Sequence, residues 1–388
     1  MLSLSTRSMK NKQMLGLTPT LPHELIEEIL LRLPVRSLLL FKCVCKSWLT
    51  LISDPQFAKT HFDLAAAPIH CYLVESQHGS LFGSIDIEPS VYEDCALIYF
   101  CYSHPSSPSH NNCYSYNNFQ ILGSCRGFVL LRYVNADYLT VWNPSTGAQK
   151  PISCSHYHSL IKILYGLGYD ASTDDYLVII IMVPLGQYSS ETHFMFFSMK
   201  TNSWNKVEGI DFPYLTGGEN YSAGLLLNGA LHWLAFSAAA DDDDDDTNDD
   251  TEVAMIIAFD LTERSLSVIP LPCLTGESFL EIGCHLMVIG GCLSLCYPAT
   301  KVCWVMKEYK VNSSWTKATY YNDCNYEGGV IIGSDAVGNL MKLNDNRELV
   351  VHSKNSFYIE SLLQFAMYRE SLLSLPSDFG KASEDDEH

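Results

Sequence analysis

The spacing of the apolar residues changes near residue 66 and divides the sequence into two parts. Before that point they recur at steps of one, three and four, as in the set Leu25, Ile26, Ile29, Leu30 and Leu33. This spacing predicts amphipathic helices. After it, short runs rich in β-branched and aromatic residues are separated by Gly, Asn and Ser, which predicts an all-β region. We therefore expect an α+β multidomain protein with a small helical unit followed by a larger β domain.

Prolines predict the limits of three N-terminal helices. Pro22 occupies a position that the first turn of a helix tolerates, and Pro34 ends the same helix. A second helix has one apolar side, made of Leu38, Phe41, Val44, Cys45, Trp48 and Ile52. Asp54 and Pro55 match an N-cap followed by proline at the first helical position, which predicts a short third helix.

These helices carry more aliphatic surface than a unit of under fifty residues buries by itself. The surplus lies on Leu25, Ile26, Ile29, Leu30, Leu33, Leu38, Leu39 and Leu40. It could bind another chain or pack on the downstream β domain, and the periodicity alone does not distinguish the two.

The formal net charge of −20 over 388 residues is unevenly distributed. Nine acidic residues lie within residues 241–252 and four within residues 384–387, and without these thirteen the net charge is −7. Residues 1–60 carry eight Lys or Arg against four Asp or Glu, a net +4. General nucleic-acid binding needs a basic footprint over the binding domain, and this distribution argues against it. The basic N-terminal part instead suits an acidic protein partner.

The cysteines and the apolar runs predict the cellular compartment. Most of the 14 cysteines lie within apolar runs rather than at framework spacings, so we expect reduced thiols in a cytoplasmic and/or nuclear protein. The longest aliphatic run, residues 177–183, is too short to span a bilayer, and no membrane partner is expected. Residues 1–19 hold no apolar segment of signal-peptide length and are expected to form a disordered tail.

One short pattern recurs in the β region: an apolar strand, a polar turn and an apolar residue that starts the next strand. Ser145, Thr201, Thr262 and Asn312 are equivalent positions of this pattern, at steps of 56, 61 and 50 residues. The middle step contains the acidic residues 241–252, and without them it approaches the kelch period of about 50 residues. The period favours a degenerate β-propeller over a sandwich.

Three patterns could indicate chemistry but lack the structural context it needs. Residues 123–127, Gly-Ser-Cys-Arg-Gly, match a nucleophile elbow, yet a strand follows where an elbow needs a helix. Residues 166–171 match Gly-x-Gly-x-x-Ala of dinucleotide sites, yet a β-branched strand follows, so we interpret them as a turn. No Cys-x-x-Cys pair occurs, which argues against zinc. We therefore expect no catalytic residue, no cofactor and no metal.

The acidic residues 241–252 predict a solvated, disordered loop, because like charges repel one another. Such a loop could attract a basic partner or calcium, or it could be a tolerated expansion of a surface connection, which we favour. Trp204, Trp233, Trp304 and Trp315 are expected in the blade cores rather than as ligand platforms.

Residues 21–64, LPHELIEEILLRLPVRSLLLFKCVCKSWLTLISDPQFAKTHFDL, resemble an F-box in its plant form. Over forty consecutive positions agree in type and spacing. In that family three helices bind an acidic Skp1-type adaptor, which a cullin links to the ubiquitin-transfer machinery. The resemblance implies that the adaptor contact is formed or braced by Leu21, Pro22, Leu25, Ile29, Leu30, Leu33, Pro34, Val35, Leu38 and Val44. Cys45 and Trp48 would pack the helices together.

Residues 100–370 resemble the plant F-box-associated type 1 domain, a family predicted to be kelch-like. Its matching segments are GSCRGF from residue 123, WNPSTG from 142, GLGYD from 166, LNGALHW from 227 and IIAFD from 256. S-locus F-box proteins and their relatives share this organisation. Family members recruit different targets, so the resemblance does not identify one.

Together the resemblances imply the substrate-recognition subunit of an SCF-type E3 ubiquitin ligase, which is not itself an enzyme. The expected partners are a Skp1-like adaptor, a cullin through it, and a target protein on the β domain. The alternative is a propeller-type hydrolase or lyase with an appended helical module, which clustered acid and base side chains in the central channel would indicate. The expected segments are a tail at 1–19, the F-box at 20–66, the F-box-associated domain at 67–370 and an acidic tail at 371–388.

Overall fold

The structure is a computed structural model, and by its internal contacts the chain divides into residues 1–66 and residues 67–388. We refer to them as the helical unit and the β unit. The structure describes residues 21–64, 70–75, 81–86, 97–101, 119–133, 138–154, 161–184, 192–210, 214–215, 223–237, 254–272, 284–297, 302–319, 330–334, 340–343, 349–352 and 365–376. The predictions for the tail at 1–19, the acidic loop at 241–252 and residues 377–388 lie outside these ranges.

The described part of the helical unit contains four helices where the sequence predicted three. They are α1 His23–Leu30, α2 Val35–Phe41, α3 Lys46–Ser53 and α4 Pro55–Leu64. The predicted second helix is wrong, because Cys45 is extended, with φ −159° and ψ 163°, and separates α2 from α3. This break lets α3 turn back so that Trp48 packs on Phe41, with the ring centroids 5.4 Å apart.

The predicted start of the last helix is confirmed. Asp54 precedes α4, and its Oδ1 accepts hydrogen bonds from the backbone N–H groups of Gln56, at 2.8 Å, and Phe57, at 3.0 Å. These are two of the N–H groups that a helix start leaves without an internal partner. Pro55 occupies the first helical position, where its missing N–H costs nothing.

The β unit is built from short antiparallel strands. In chain order they are β1 His70–Glu75, β2 Leu81–Asp86, β3 Leu97–Cys101, β4 Phe119–Cys125, β5 Phe128–Tyr133, β6 Tyr138–Trp142, β7 Gln149–Ser153, β8 Ile161–Asp170, β9 Asp175–Pro184, β10 His193–Ser198, β11 Ser203–Val207, β12 Tyr214–Leu215, β13 Leu225–Leu227, β14 Ala230–Ser237, β15 Ala254–Asp260, β16 Leu266–Pro270, β17 His285–Ile289, β18 Cys292–Tyr297, β19 Val302–Met306, β20 Trp315–Thr319, β21 Val330–Ser334, β22 Leu340–Leu343, β23 Leu349–His352 and β24 Phe365–Arg369.

Within the described ranges these strands form six sheets, which we number I to VI along the chain. Sheet I contains β24, β1, β2 and β3; sheet II, β4–β7; sheet III, β8–β11; sheet IV, β12–β16; sheet V, β17–β20; and sheet VI, β21–β23. Successive sheets contact each other through β24 and β4, β4 and β8, β8 and β14, β14 and β17, and β17 and β21. Sheets that follow one another along the chain and pack side by side make a propeller, so the predicted fold class is confirmed.

Sheet I combines strands from both ends of the β unit. The last strand, β24, pairs antiparallel with β1, in a register that places Arg369 opposite His70 and Phe365 opposite Val74. The chain after β24 does not run into an acidic tail at residue 371 as predicted. Residues 371–373 and 375 are buried, because they pack on the β unit.

The four repeated turns predicted from the sequence occupy equivalent places. They join β6 to β7, β10 to β11, β15 to β16 and β19 to β20, which are the last hairpins of sheets II to V. In two of them an Asx side chain caps the turn. Asn143 Oδ1 accepts from the Ser145 N–H at 2.9 Å, and Asp260 Oδ1 accepts from the Thr262 N–H at 2.8 Å. The near-equal sequence steps therefore reflect one turn used once per sheet.

The glycines of residues 166–170 lie inside strand β8, so the predicted turn is wrong. A Cβ atom on Gly166 would lie 2.5 Å from Leu231 Cδ1, and one on Gly168 would lie 2.3 Å from Leu261 Cδ1. The glycines are required because leucines of sheet IV pack directly on the backbone of sheet III. The chain instead reverses just after β8, where Asp174 has a φ of 51°.

Two of the four tryptophans expected in blade cores are buried: Trp233 fully, and Trp315 with 9% of its surface exposed. Trp204 and Trp304 are half-buried. Trp233 lies between sheets III and IV, and its Nε1 donates to the Tyr165 carbonyl at 3.0 Å.

The expectation of reduced thiols is wrong at one pair. Cys296 and Cys303, which face each other on β18 and β19, form a disulfide.

Candidate protein-docking surface

The first helix leaves large apolar side chains in contact with solvent. Leu25 and Ile29, one helical turn apart on α1, are 48% and 52% exposed, and Leu21 just before the helix is 51% exposed. Leu30, on the opposite side of α1, is 1% exposed. The helix is therefore anchored by one face and presents a second apolar face outward.

The helical unit also has a small apolar core. It consists of the buried residues Leu30, Val35, Leu38, Ile52, Phe57, Ala58 and Phe62. His61 on α4 contacts the connection between α1 and α2, because its Nε2 lies 2.8 Å from the Leu33 carbonyl oxygen. The exposed leucines and isoleucine of α1 are therefore not a sign of an incomplete core.

The structure divides the ten predicted adaptor residues into two groups. Six are exposed: Leu21, Pro22, Leu25, Ile29, Pro34 and Val44. Leu33 is half-buried, and Leu30, Val35 and Leu38 are buried. The exposed six can touch a partner, while the buried three can only support the helices that carry them. The adaptor assignment of all ten stays a prediction.

The two residues expected to pack the helices together differ. Trp48 is half-buried against Phe41, as expected. Cys45 is exposed, so its predicted packing role is wrong. The cause is the extended backbone at this residue, which turns its side chain away from the helical core.

Three exposed apolar residues were not among the predicted site residues. Leu40 is 67% exposed, and Leu49 and Leu64 are also exposed. Leu40 belonged to the surplus aliphatic set, which was a usable signal. Leu49 could not be found by periodicity, because the break at Cys45 shifts the faces of α3. Leu64 is the last residue of α4, and the sequence pattern did not single it out.

Acidic and basic residues lie on different parts of the helical unit. Helix α1 carries Glu24, Glu27 and Glu28, and Glu28 pairs with Arg32 at 3.6 Å on the surface. Such an exposed pair stabilises by only about 0.5 kcal/mol. Arg36 lies on α2, Lys42 directly follows α2, and Lys46 begins α3. Partial burial lowers the pKa of Lys42 from its usual value. The apolar surface therefore has acidic residues on α1 and basic residues on α2 and α3.

In the β unit, buried polar groups join neighbouring sheets. Asp170 at the end of β8 accepts from Arg264 Nη2 at 2.9 Å and from Thr262 Oγ1 at 3.3 Å, which links sheets III and IV. Burial acts to raise the pKa of Asp170, but hydrogen bonds from Ser172 and the nearby Arg264 outweigh it and lower the pKa to about 2. Asp170 is therefore a charged structural anchor rather than a proton donor near neutral pH.

His232 links sheets IV and V in the same way. Its Nε2 lies 2.8 Å from the Tyr309 hydroxyl, and its Nδ1 lies 3.1 Å from the Leu225 carbonyl oxygen. Burial lowers the pKa of His232 to about 4, although the bond to Leu225 opposes this change. The imidazole is neutral at pH 7, and both ring nitrogens are engaged in structural contacts.

The cysteine of the predicted elbow pattern is not an activated nucleophile. Cys125 ends β4 in a tight hairpin to β5, with φ values of 47° at Arg126 and 85° at Gly127. Burial raises the pKa of the Cys125 thiol to about 12, although Arg126 opposes this change. Nucleophilic catalysis needs a thiolate, which this environment disfavours.

The described part of the chain holds neither a metal-ligand cluster nor a membrane-spanning helix. No group of three or more His, Cys, Asp or Glu side chains there could hold a metal ion. The helices in the described ranges are all too short or too polar to cross a membrane.

Comparison with known proteins identifies the family. A model of the F-box domain matches residues 19–60, and a model of the F-box associated beta propeller domain matches residues 94–367. The helical unit with its F-box match makes the chain an F-box protein, and its β unit is a propeller of the F-box associated family. The chain belongs to the plant F-box proteins that carry an F-box associated beta propeller domain.

Individual relatives agree with this assignment. An F-box/kelch-repeat protein of Arabidopsis thaliana is 30% identical over 308 residues, which cover 76% of this chain and 78% of the relative. The F-box protein CPR1 of Arabidopsis thaliana is 26% identical, over 77% of this chain and 72% of the relative. Among solved structures, the Dos1 propeller shares 10% identity over 72% of this chain and 64% of that chain. Its TM-score of 0.34 adds no argument.

Proposed function

We propose that this F-box protein is the substrate-recognition subunit of an SCF-type E3 ubiquitin ligase. One observation carries the proposal: Leu25 and Ile29 stay exposed on α1 although the helical unit has buried apolar residues of its own. An exposed apolar patch bordered by charged residues is typical of a protein–protein interaction site. The family assignment supports a Skp1-like adaptor as the protein that covers it.

In this function the ten predicted residues have two roles. Leu21, Pro22, Leu25, Ile29, Pro34 and Val44 contact the adaptor, and Leu30, Leu33, Val35 and Leu38 brace the helices below. The adaptor in turn recruits a cullin. The basic residues of α2 and α3 suit an acidic adaptor, although charge pairs at the rim affect the association rate more than the affinity.

The β unit binds the target protein through loops on one face of the kelch-like propeller. A rigid scaffold positions such loops, and contacts such as Asp170 with Arg264 supply rigidity between sheets. No residue of this chain takes part chemically. The complex instead holds a target lysine near the ubiquitin-charged enzyme, which raises its effective concentration, in the cytoplasm and/or nucleus.

The test is a double substitution, Leu25→Asp with Ile29→Asp, in the full chain. Two charges on the apolar face should abolish co-purification of adaptor and cullin, because an unpaired charge would be buried in the interface. The melting temperature should not change, since both residues are exposed.

Leu64→Asp is the matched control. Leu64 is 59% exposed on α4 and lies outside the ten residues, so this variant should keep the adaptor. Adaptor binding that persists in a folded double variant would refute the proposal.

A further inference from the structure

Five residues that follow strand β24 after a gap of one residue are held on sheet II. We name residues 371–375 the strap. Ser371 and Leu375 are 0% exposed, and Leu372 and Leu373 are also buried. None of the five belongs to a strand, so their backbone groups need other partners.

One side chain supplies two of those partners. Asn143 Nδ2 donates hydrogen bonds to the carbonyl oxygens of Ser371 and Leu373, each at 3.0 Å. The Ser371 N–H donates to Ser145 Oγ at 3.2 Å, and the Leu373 N–H donates to Ser371 Oγ at 2.9 Å. Both amide hydrogens of Asn143 are therefore used on the strap, and the residue is itself fully buried.

The first hairpin of sheet II is also shaped to receive the strap. Gly127 has a φ of 85°, and a Cβ atom on it would lie 2.2 Å from Ser371 Cβ. A side chain at this position would push the strap off the sheet. Two separate turns of sheet II thus fit the same short segment.

Comparison with the equivalent turn of sheet IV separates capping from strap binding. Asp260 Oδ1 accepts from Thr262 N–H and Glu263 N–H, each at 2.8 Å. Asn143 Oδ1 makes the corresponding bonds in sheet II, to Ser145 and Thr146. Capping needs only the oxygen, which Asp and Asn both provide. The hydrogen bonds of the Asn143 amide nitrogen go to the strap, so strap binding is the reason that this position needs Asn rather than Asp.

We propose that the strap closes the propeller ring in addition to the pairing of β24 with β1, and that the two hydrogen bonds from Asn143 hold the strap in place. The pairing of β24 with β1 closes sheet I, and the strap then ties the same end of the chain to sheet II. Sheet I is the place where both ends of the β unit meet, so the ring opens there unless the chain end is held. The folded β unit therefore extends to residue 375, and the release of one amide side chain frees its closing strand.

The test compares Asn143→Asp with Asp260→Asn in the full chain by hydrogen exchange and mass spectrometry. Asn143→Asp keeps the capping oxygen but turns a carboxylate oxygen toward two carbonyl oxygens. We expect at least tenfold faster exchange in β1 and β24, with β14 and β15 unchanged. Asp260→Asn should leave all four strands as in the wild type. Equal behaviour of the two variants would overturn the proposal.

Truncations give a second, independent measurement. A chain ending at Pro376 should exchange as the wild type, whereas a chain ending at Glu370 should show the fast exchange of β1 and β24. Asn143→Asp should add nothing in the chain that ends at Glu370, because the two carbonyls are gone. A further acceleration there would show that Asn143 acts only on its own turn.

A milder variant covers the case in which Asn143→Asp does not fold. Ser145→Ala removes only the acceptor of the Ser371 N–H. It should speed exchange of β1 and β24 by a smaller factor, and no change in these strands would count against the strap.

Discussion

The helical unit and the β unit differ in how many of their large apolar side chains are exposed to solvent. Nine large apolar side chains are exposed among the residues whose burial the structure describes, and seven of them lie in the helical unit: Leu21, Leu25, Ile29, Leu40, Val44, Leu49 and Leu64. Among such residues of the β unit, which exclude the side chains of β1–β3 and β21–β23, the exposed ones are Val268 and Val311. The β unit buries its apolar side chains between neighbouring sheets. The helical unit keeps an apolar surface that a second protein can cover.

The largest effect should come from the core between sheets III and IV. Trp233→Ala removes a fully buried ring and its hydrogen bond to Tyr165, and it should lower the free energy of unfolding by about 4 kcal/mol. Leu25→Ala, on the exposed face of α1, should change it by less than about 0.5 kcal/mol. Urea unfolding followed by circular dichroism measures both. Similar losses in the two variants would remove the contrast between the units.

The next effect depends on pH and concerns the link between sheets IV and V. The unfolded chain protonates His232 below about pH 6.5, whereas the folded chain resists protonation until about pH 4. Stability should therefore fall as the pH drops from 6.5 to 4, by about 3 kcal/mol from this residue. His232→Gln should be less stable at pH 7 but should lose less stability over that window. Parallel pH profiles of the two proteins, measured by urea unfolding, would contradict this prediction.

A smaller effect should appear in the helical unit. Asp54→Ala removes the acceptor for two N–H groups at the start of α4 and should destabilise that unit by about 1 kcal/mol. Asp54→Asn keeps an oxygen at the cap and serves as the control. Hydrogen exchange of the first turn of α4 reports the change directly. Equal exchange in the alanine and asparagine variants would show that the cap does not stabilise the helix.

The smallest effect should follow from the acidic segment between β14 and β15. Replacing residues 241–250 by a short Gly-Ser linker should leave the melting temperature nearly unchanged, because surface connections tolerate changes in length at small entropic cost. Scanning calorimetry of the two chains compares them. A decrease of several degrees would show that the segment packs on the β unit.

Local patterns in the sequence predicted much of this protein. The cap at Asp54 and the polar turns that include Asn143 and Asp260 were found because each depends on residues within a few positions of one another. The near-equal steps between those turns predicted the propeller. The apolar stripe of α1 was also visible, but its spacing did not show which of its residues would be exposed.

Contacts between distant segments decided the rest. Periodicity continued through Cys45, but the backbone is extended at this residue, and Trp48 of the next helix packs back on Phe41. The glycines of β8 match a turn pattern in the sequence, but in the structure they lie within a strand, where leucines of sheet IV pack against them. Asn143 and Ser371 are 228 residues apart in the chain, so nothing near either residue predicts their hydrogen bond. The sequence by itself determined most of the local elements and the family, whereas the choice of exposed face, the strand at the β8 glycines and the strap depend on surfaces that meet only after folding.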